Sequence, residues 1–291
     1  MILVTGAAGT TGSEVVRQLS SKGLRVRAML RDPDKAKRFS GPGVETVVAD
    51  LERPATLDKA FKGADKLFLV SSPDPRVSLL HGNAIDAAKR AGVKQIVRLS
   101  AVAASTSCPA RLLKWHGEVD ERLSRSGISY AILRPQFFMQ NLLGMRASIQ
   151  RDGAIYLPAK ETKTGAIDTR DVAASAVAVL TSEGHSGRVY DLTGPESLGF
   201  ADIAARIGKA IGRPVAYVDV PPEAAREALL AQGWPEFLAD GFVEMMGFFA
   251  TGAGADVTGT VEKLTGAKPR SIDVFAKDYA GVFAGTVAAE A

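Results

Sequence analysis

Short apolar runs alternate with helical patterns through the first two thirds of the chain. Ile2-Leu3-Val4-Thr5 reads as a buried strand that leads into glycines, after which Val15, Val16 and Leu19 mark one face of a helix ending at Gly23. Val26–Leu30, Val44–Ala49, Lys66–Val70, Gln95–Ser100 and Ser129–Leu133 read as further strands, with helical periodicity between them at about 55–62, 78–91 and 109–126. Short apolar strands separated by amphipathic helices predict right-handed βαβ crossovers. The expected fold is therefore doubly wound α/β, a parallel Rossmann sheet with helices on both faces.

After residue 135 the rhythm loosens. A Phe/Met-rich helix is expected over 136–150 and another over about 169–182. Arg188–Leu192 and Val215–Val220 read as strands around a helix at 200–211, and the text from Pro221 onward is helical. This predicts a dinucleotide-binding core over 1–155 with a returning segment near 165–195, and a smaller, mostly helical subdomain over 196–291.

The first candidate chemistry is Gly6-Ala7-Ala8-Gly9-Thr10-Thr11-Gly12, set between the first strand and the first helix. Glycine at 6 permits a sharp turn, at 9 a close approach to a pyrophosphate, and at 12 tight packing of the helix on the sheet. The helix N-terminus then presents its free N–H groups to the anion. A ligand-free βα turn is the competing reading; a strand before and a helix after the glycines favour the dinucleotide.

Composition narrows the partners. The 291 residues are 46% apolar and 23% charged, and 36 basic against 32 acidic residues leave a net charge of +4 with the two signs interspersed. That pattern argues against a nucleic-acid binder. A single cysteine, Cys108, and three scattered histidines, at 81, 116 and 185, offer neither a disulfide framework nor a metal site. No apolar stretch reaches the roughly 18–20 residues of a membrane span, and no leader pattern precedes the first strand, so a cytoplasmic location is expected.

The basic excess gathers in one place. Arg31, Lys35, Lys37 and Arg38 follow the second strand where an NAD-preferring site would carry an acidic residue, which favours NADP(H) over NAD(H). A solvated basic face competes with that reading, and Asp32 reads either as a ribose ligand or as a cap for the turn at Pro33. Asp50 and Leu51 close the third strand on the adenine side, and Asp50 serves equally well as a cap. Ser71-Ser72-Pro73 and Ser100 end the fourth and fifth strands along the same track.

Longer motifs carry a resemblance. Leu133-Arg134-Pro135-Gln136-Phe137-Phe138-Met139-Gln140-Asn141 and Ile167-Asp168-Thr169-Arg170-Asp171-Val172-Ala173 resemble segments of the extended or atypical short-chain dehydrogenases/reductases. Trp115-His116-Gly117-Glu118, Leu192-Thr193-Gly194-Pro195-Glu196 and Pro221-Pro222-Glu223 are similar to the NmrA-like family within that superfamily. The resemblance implies NAD(P)H-dependent reduction of quinones, azo dyes or triphenylmethane dyes, or else redox sensing by a regulator. It also implies that Pro135, Phe137 and Phe138 border the nicotinamide.

One departure is informative. The superfamily's Tyr-x-x-x-Lys pair is missing from the helix at 109–126, which holds no tyrosine; of the tyrosines at 130, 156, 190, 217 and 279 only Tyr156 is followed by lysine four residues on, at Lys160, and it lies outside that helix. His116 stands on the helix where the superfamily keeps its acid, so it is the candidate catalytic residue, against the plainer reading of a helix histidine bonded to a carbonyl or to Glu118. Trp115, Asn141, Met145 and Trp234 are candidate walls for a flat aromatic substrate, with core packing or a homodimer contact as the competing reading. The sequence thus points to an NADPH-dependent reductase that passes hydride to a conjugated organic acceptor. The alternative is a non-catalytic NADP(H) sensor acting through a protein partner.

Overall fold

A computed structural model describes residues 1–39 and 41–287. The chain runs β1 (Ile2–Val4), α1 (Thr10–Ser21), β2 (Val26–Leu30), β3 (Val44–Val48), α2 (Pro54–Phe61), β4 (Lys66–Leu69), α3 (Val77–Arg90), β5 (Gln95–Leu99), α4 (Arg111–Ser124) and β6 (Ser129–Pro135). It continues through α5 (Arg146–Asp152), β7 (Ala154–Leu157), β8 (Lys163–Thr164), α6 (Thr169–Thr181), β9 (Arg188–Leu192), β10 (Leu198–Gly199), α7 (Phe200–Ile211) and β11 (Ala216–Asp219). Helices α8 (Pro222–Ala231), α9 (Glu236–Phe249), α10 (Thr260–Thr265), α11 (Ile272–Asp278) and α12 (Ala280–Ala284) complete it. None of these helices is long and apolar enough to cross a membrane.

The main sheet has the order β3-β2-β1-β4-β5-β6-β9, and the pairs from β3 through β6 run parallel. The strand order reverses between β1 and β4, which is where an open α/β sheet forms its ligand crevice. Thr5 locks that point: its Oγ1 donates to the Val70 carbonyl at 2.7 Å and its N–H to the Phe68 carbonyl at 3.1 Å. One face of the sheet buries Leu57, Phe61, Leu80, Ile85 and Leu123 from α2, α3 and α4 against Leu3, Leu67, Leu69 and Ile96.

The chain forms two compact units. The first comprises 1–108, 113–134 and 169–191, and the second 109–112, 135–168 and 192 onward. The second unit has its own core, in which Phe137, Phe200, Ile203, Ile207, Phe275 and Phe283 pack together. It also contains a parallel β7–β11 pair and an antiparallel β8–β10 pair.

The division therefore falls after residue 134 rather than near 155. The helix expected over 136–150 is also absent as such: the chain stays extended through Phe138, passes through a 3-10 segment at Met139–Met145, and becomes α-helical only at Arg146. Main-chain pairing is the cause. Gln136 N–H donates to the Leu192 carbonyl, Ile167 N–H to Phe137 and Met139 N–H to Ile167, each at 2.9 Å. Those bonds hold the apolar run straight despite its helical periodicity.

Candidate active site

The glycine turn is built around two close approaches. Gly6 has φ +53°, and a Cβ there would lie 2.7 Å from the Val70 carbonyl oxygen. A Cβ on Gly12 would overlap the Gly6 carbonyl oxygen outright. Gly9 is the N-cap of α1, makes no side-chain cap and is exposed, and the first turn carries no acidic residue. The first main-chain bond into the helix is Ser13 N–H to the Gly9 carbonyl at 2.9 Å. The N–H groups of Thr10, Thr11 and Gly12 are thus left at an uncapped positive helix end, with Thr10 exposed and Thr11 buried. A dinucleotide pyrophosphate fits this helix end, because its oxygens could accept from those N–H groups, while Gly6 and Gly12 let the turn pack closely against Val70 and against itself.

Arg31 and Lys35 are exposed beyond β2, and among the described residues their side chains make no hydrogen bond or salt bridge, although the Arg31 charge contributes to holding the Asp74 carboxyl below its ordinary range. Asp32 acts locally, because its Oδ1 accepts from Asp34 N–H at 2.9 Å and caps the 3-10 turn at Pro33–Arg38. Asp50 likewise accepts from Glu52 N–H at 3.0 Å through one oxygen, on the approach to α2. Leu51 is buried in the core of the first unit. Ser72 and Pro73 are exposed after β4.

Beneath the carboxyl ends of β4, β5 and β6 lies a polar network that sequence reasoning missed. Its centre is Arg98 of β5, whose side chain is completely buried. The Arg98 guanidinium pairs with Asp120 of α4, donates from Nη2 to His116 Nδ1 at 2.9 Å, and from Nη1 to the His116 carbonyl at 3.3 Å. Its Nε–H reaches His81 Nδ1 of α3 at 3.4 Å. The second Asp120 oxygen accepts from Ser100 Oγ at 2.9 Å and from Arg134 Nη2 at 2.9 Å. Ser100 is thereby turned into the network. Ser71, at the end of β4, joins it through His81 Nε2 at 2.9 Å.

Both imidazoles are held neutral. Burial, then the guanidiniums of Arg98 and Arg134, pushes His116 down to about 3. Burial, then Arg98 and His116, places His81 well below the ordinary histidine range. Glu118 has no hydrogen bond to His116; it accepts from Ser78 Oγ at 2.8 Å. A Cβ on Gly117 would overlap the Ser105 main chain, so α4 sits directly on the loop that follows β5. A sequence clue existed: Arg98 is the one charge in the short strand Gln95–Leu99, and a charge so placed demands a buried partner.

The remaining candidates divide between the units. Trp115 is half-buried on α4 in the first. Pro135, Phe137, Phe138, Asn141, Met145 and Trp234 belong to the second. Phe137 is a core residue, edge-on to Phe200 with ring centroids 5.4 Å apart, and Met145 packs against the same core. Trp234 stacks edge-on to Phe242 at 5.9 Å, whereas Asn141 is exposed. Among the described residues no group of three or more His, Cys, Asp or Glu side chains is placed to hold a metal ion.

Comparison with known proteins gives a consistent answer. The model of the NmrA-like family matches residues 1–276. The chain is 41% identical over 283 residues to the NAD(P)H azoreductase of Xenophilus azovorans, covering 97% of this chain and 99% of that one. The NADPH complex of an Escherichia coli NADPH-dependent quinone oxidoreductase superposes with TM-score 0.87 at 30% identity, covering 96% of this chain and 99% of that one. The NADP(H) complex of the Citrobacter sp. triphenylmethane reductase superposes with TM-score 0.85 at 27% identity, over 96% and 100% of the two chains.

Proposed function

The chain belongs to the NmrA-like family, and from that premise we propose that it is an NADPH-dependent reductase that delivers hydride to a conjugated organic acceptor such as a quinone or a dye. The observation that carries this reading is the glycine cradle at the uncapped end of α1. Gly6, Gly9, Thr10, Thr11 and Gly12 would hold the pyrophosphate, Arg31 and Lys35 the 2′-phosphate, and Asp50 the adenine side, with Ser71 and Ser72 along the track toward the nicotinamide. Bound there, the reduced nicotinamide supplies the hydride. The protein's part is to orient the acceptor and stabilise what the transfer leaves behind.

The acceptor class follows from the absence of a tyrosine on α4. A ketone needs a proton on oxygen as hydride reaches carbon, and general acid catalysis of that kind is worth about 10²–10⁴-fold. A histidine held down to about 3 is no such acid at neutral pH. Quinones and cationic dyes accept hydride without concerted protonation, and relatives are named for an azo, a quinone and a triphenylmethane substrate.

The test is to follow NADPH absorbance with the protein and a panel of quinones, azo dyes and triphenylmethane dyes, with a simple ketone as control. Turnover of the conjugated acceptors but not the ketone is expected. Tight NADPH binding without turnover of any acceptor overturns the reading. Arg31→Ala should weaken NADPH binding about 10-fold, the worth of one charge-assisted hydrogen bond, and leave NADH affinity within about 2-fold. Equal affinities of the wild type for the two cofactors would remove the 2′-phosphate assignment.

A further inference from the structure

An arginine side chain has hydrogens to give and no lone pair to offer. Every atom that faces the Arg98 guanidinium must therefore be an acceptor, and two of those atoms are imidazole nitrogens. His116 Nδ1 stands 2.9 Å from Nη2, and His81 Nδ1 stands 3.4 Å from Nε. Each neutral ring must then carry its hydrogen on Nε2. The direction of the bonds beyond His81 agrees: its Nε2–H gives to Ser71 Oγ at 2.9 Å, and the Ser71 hydroxyl gives onward to the Ser72 carbonyl at 3.1 Å. The Nε2–H of His116 has no hydrogen-bond acceptor among the described residues, and the residue is partly exposed.

We propose that Arg98 is a positioning residue that fixes His116 in the Nε2–H form, and that this uncharged N–H is the hydrogen-bond donor to the acceptor's oxygen during reduction. The proposal rests on the reductase reading above and deepens it. For a quinone the balance is simple. When bound, the reduced nicotinamide would supply a hydrogen with its electron pair and be left oxidised, and a quinone that took them would become a hydroquinone monoanion. His116 keeps its own hydrogen and stabilises the anionic oxygen by donation, and the one proton that completes the hydroquinone comes from water, which leaves as hydroxide. For a cationic dye the hydride cancels the charge and no proton is needed.

The surroundings keep the ring uncharged from every side. Arg98 on β5 and Arg134 on β6 face it as cations, and His81 on α3 is the second neutral imidazole. Of the anions on its own helix, Asp120 is already shared between the two guanidiniums and Ser100, and Glu118 accepts from Ser78 Oγ. A neutral imidazole used in this way polarises an oxygen over a wide pH range, because nothing titrates.

The test reads the ring itself. Long-range nitrogen–proton correlation spectra of the full chain labelled at histidine report which nitrogen is protonated, with peaks assigned through His116→Gln and His185→Gln. His81 and His116 are expected to show the Nε2–H pattern unchanged from about pH 8 to about pH 5. A His116 signal of the Nδ1–H form, or one that titrates within that range, overturns the proposal whatever the activity. The same spectrum of the Arg98→Met/Asp120→Asn double variant, which carries no unpaired buried charge, should show His116 released to titrate; a ring still locked there overturns the role of Arg98.

Kinetics supplies the second arm. Quinone kcat/KM should be flat from about pH 5 to about pH 8. His116→Leu should lose about 100-fold in kcat, the usual worth of one such donor, whereas His116→Gln, which retains an amide N–H, should recover most of that loss. A rate that climbs toward low pH in the wild type but not in His116→Gln would make the ring an acid and sink the proposal. NADPH oxidation with a titrating His116 leaves the reductase reading intact and removes only this inference. Absence of turnover with every acceptor removes the reductase reading itself.

Discussion

Replacing Asp120 by asparagine removes one charge and almost no volume, so it isolates the electrostatic part of the buried network. Arg98 is completely buried and Asp120 is 5% exposed, so solvent can do little to compensate. Stripping the counter-charge from a buried ion is worth about 3–5 kcal/mol of stability. Arg134 adds little to that loss, because its side chain is 25% exposed and water can replace the carboxylate. Ser100 loses an acceptor only if the new amide group turns toward it, which adds about 1 kcal/mol. The sum is about 4 kcal/mol, equivalent to a fall in Tm of about 10 °C for a chain of this size. Adding Arg98→Met removes the stranded charge, and the double variant should regain at least half of the loss. Urea unfolding of the wild type, both single variants and the double variant closes the cycle. A cost below about 1 kcal/mol for Asp120→Asn, or a double variant no more stable than that single one, would refute the claim that Arg98 is a buried charge held by Asp120.

Stability should also decline in mild acid. His81 and His116 are held neutral in the folded chain but bind protons in the unfolded chain below about pH 6.5. The unfolded state then holds more protons, so stability is full above that pH and is lost as pH falls, for His116 down to about 3. Each ring contributes up to about 1.4 kcal/mol per pH unit, and a urea midpoint unchanged between about pH 6.5 and about pH 5 would contradict this. At the glycine turn, Gly12→Ala should lower Tm even without cofactor, because its Cβ overlaps the Gly6 carbonyl oxygen. Gly9→Ala should lower Tm less than Gly12→Ala, since its Cβ would meet the Gly6 oxygen at 3.3 Å, a tight contact rather than an overlap, yet weaken NADPH binding; calorimetry with and without NADPH separates the two. Matching Tm losses in both variants would show that the turn's glycines serve packing alone.

The strands of the sheet were legible because burial on both faces leaves a plain apolar run, as in Ile2-Leu3-Val4 and Leu67-Phe68-Leu69. The glycine turn was legible because a positive φ and a filled space leave only one residue type, as at Gly6. Residues 136–145 were misread because their apolar spacing is helical, whereas pairing with Ile167 and Leu192, distant in sequence, decides their conformation. The Arg98 network was invisible for a similar reason. Its members lie on β5, α3, α4 and β6, and no local pattern links residue 81 to 98, 120 and 134. His116 could be placed by its helix, but the identity of its partner, an arginine rather than Glu118, is a tertiary fact.

The absence of a side chain at Gly117 has a consequence for how such a protein diversifies. Where α4 rests on the Ser105 main chain, the height of the neighbouring His116 ring above the sheet is set by backbone against backbone. Side chains that neither pack against α4 nor join the Arg98 network can be exchanged, enlarged or trimmed without lifting that ring. The first unit then behaves as a fixed bench, and adaptation to a new dye or quinone becomes a matter of refitting the tools around it. A laboratory selection for altered acceptors should accordingly recover changes widely, and none at position 117.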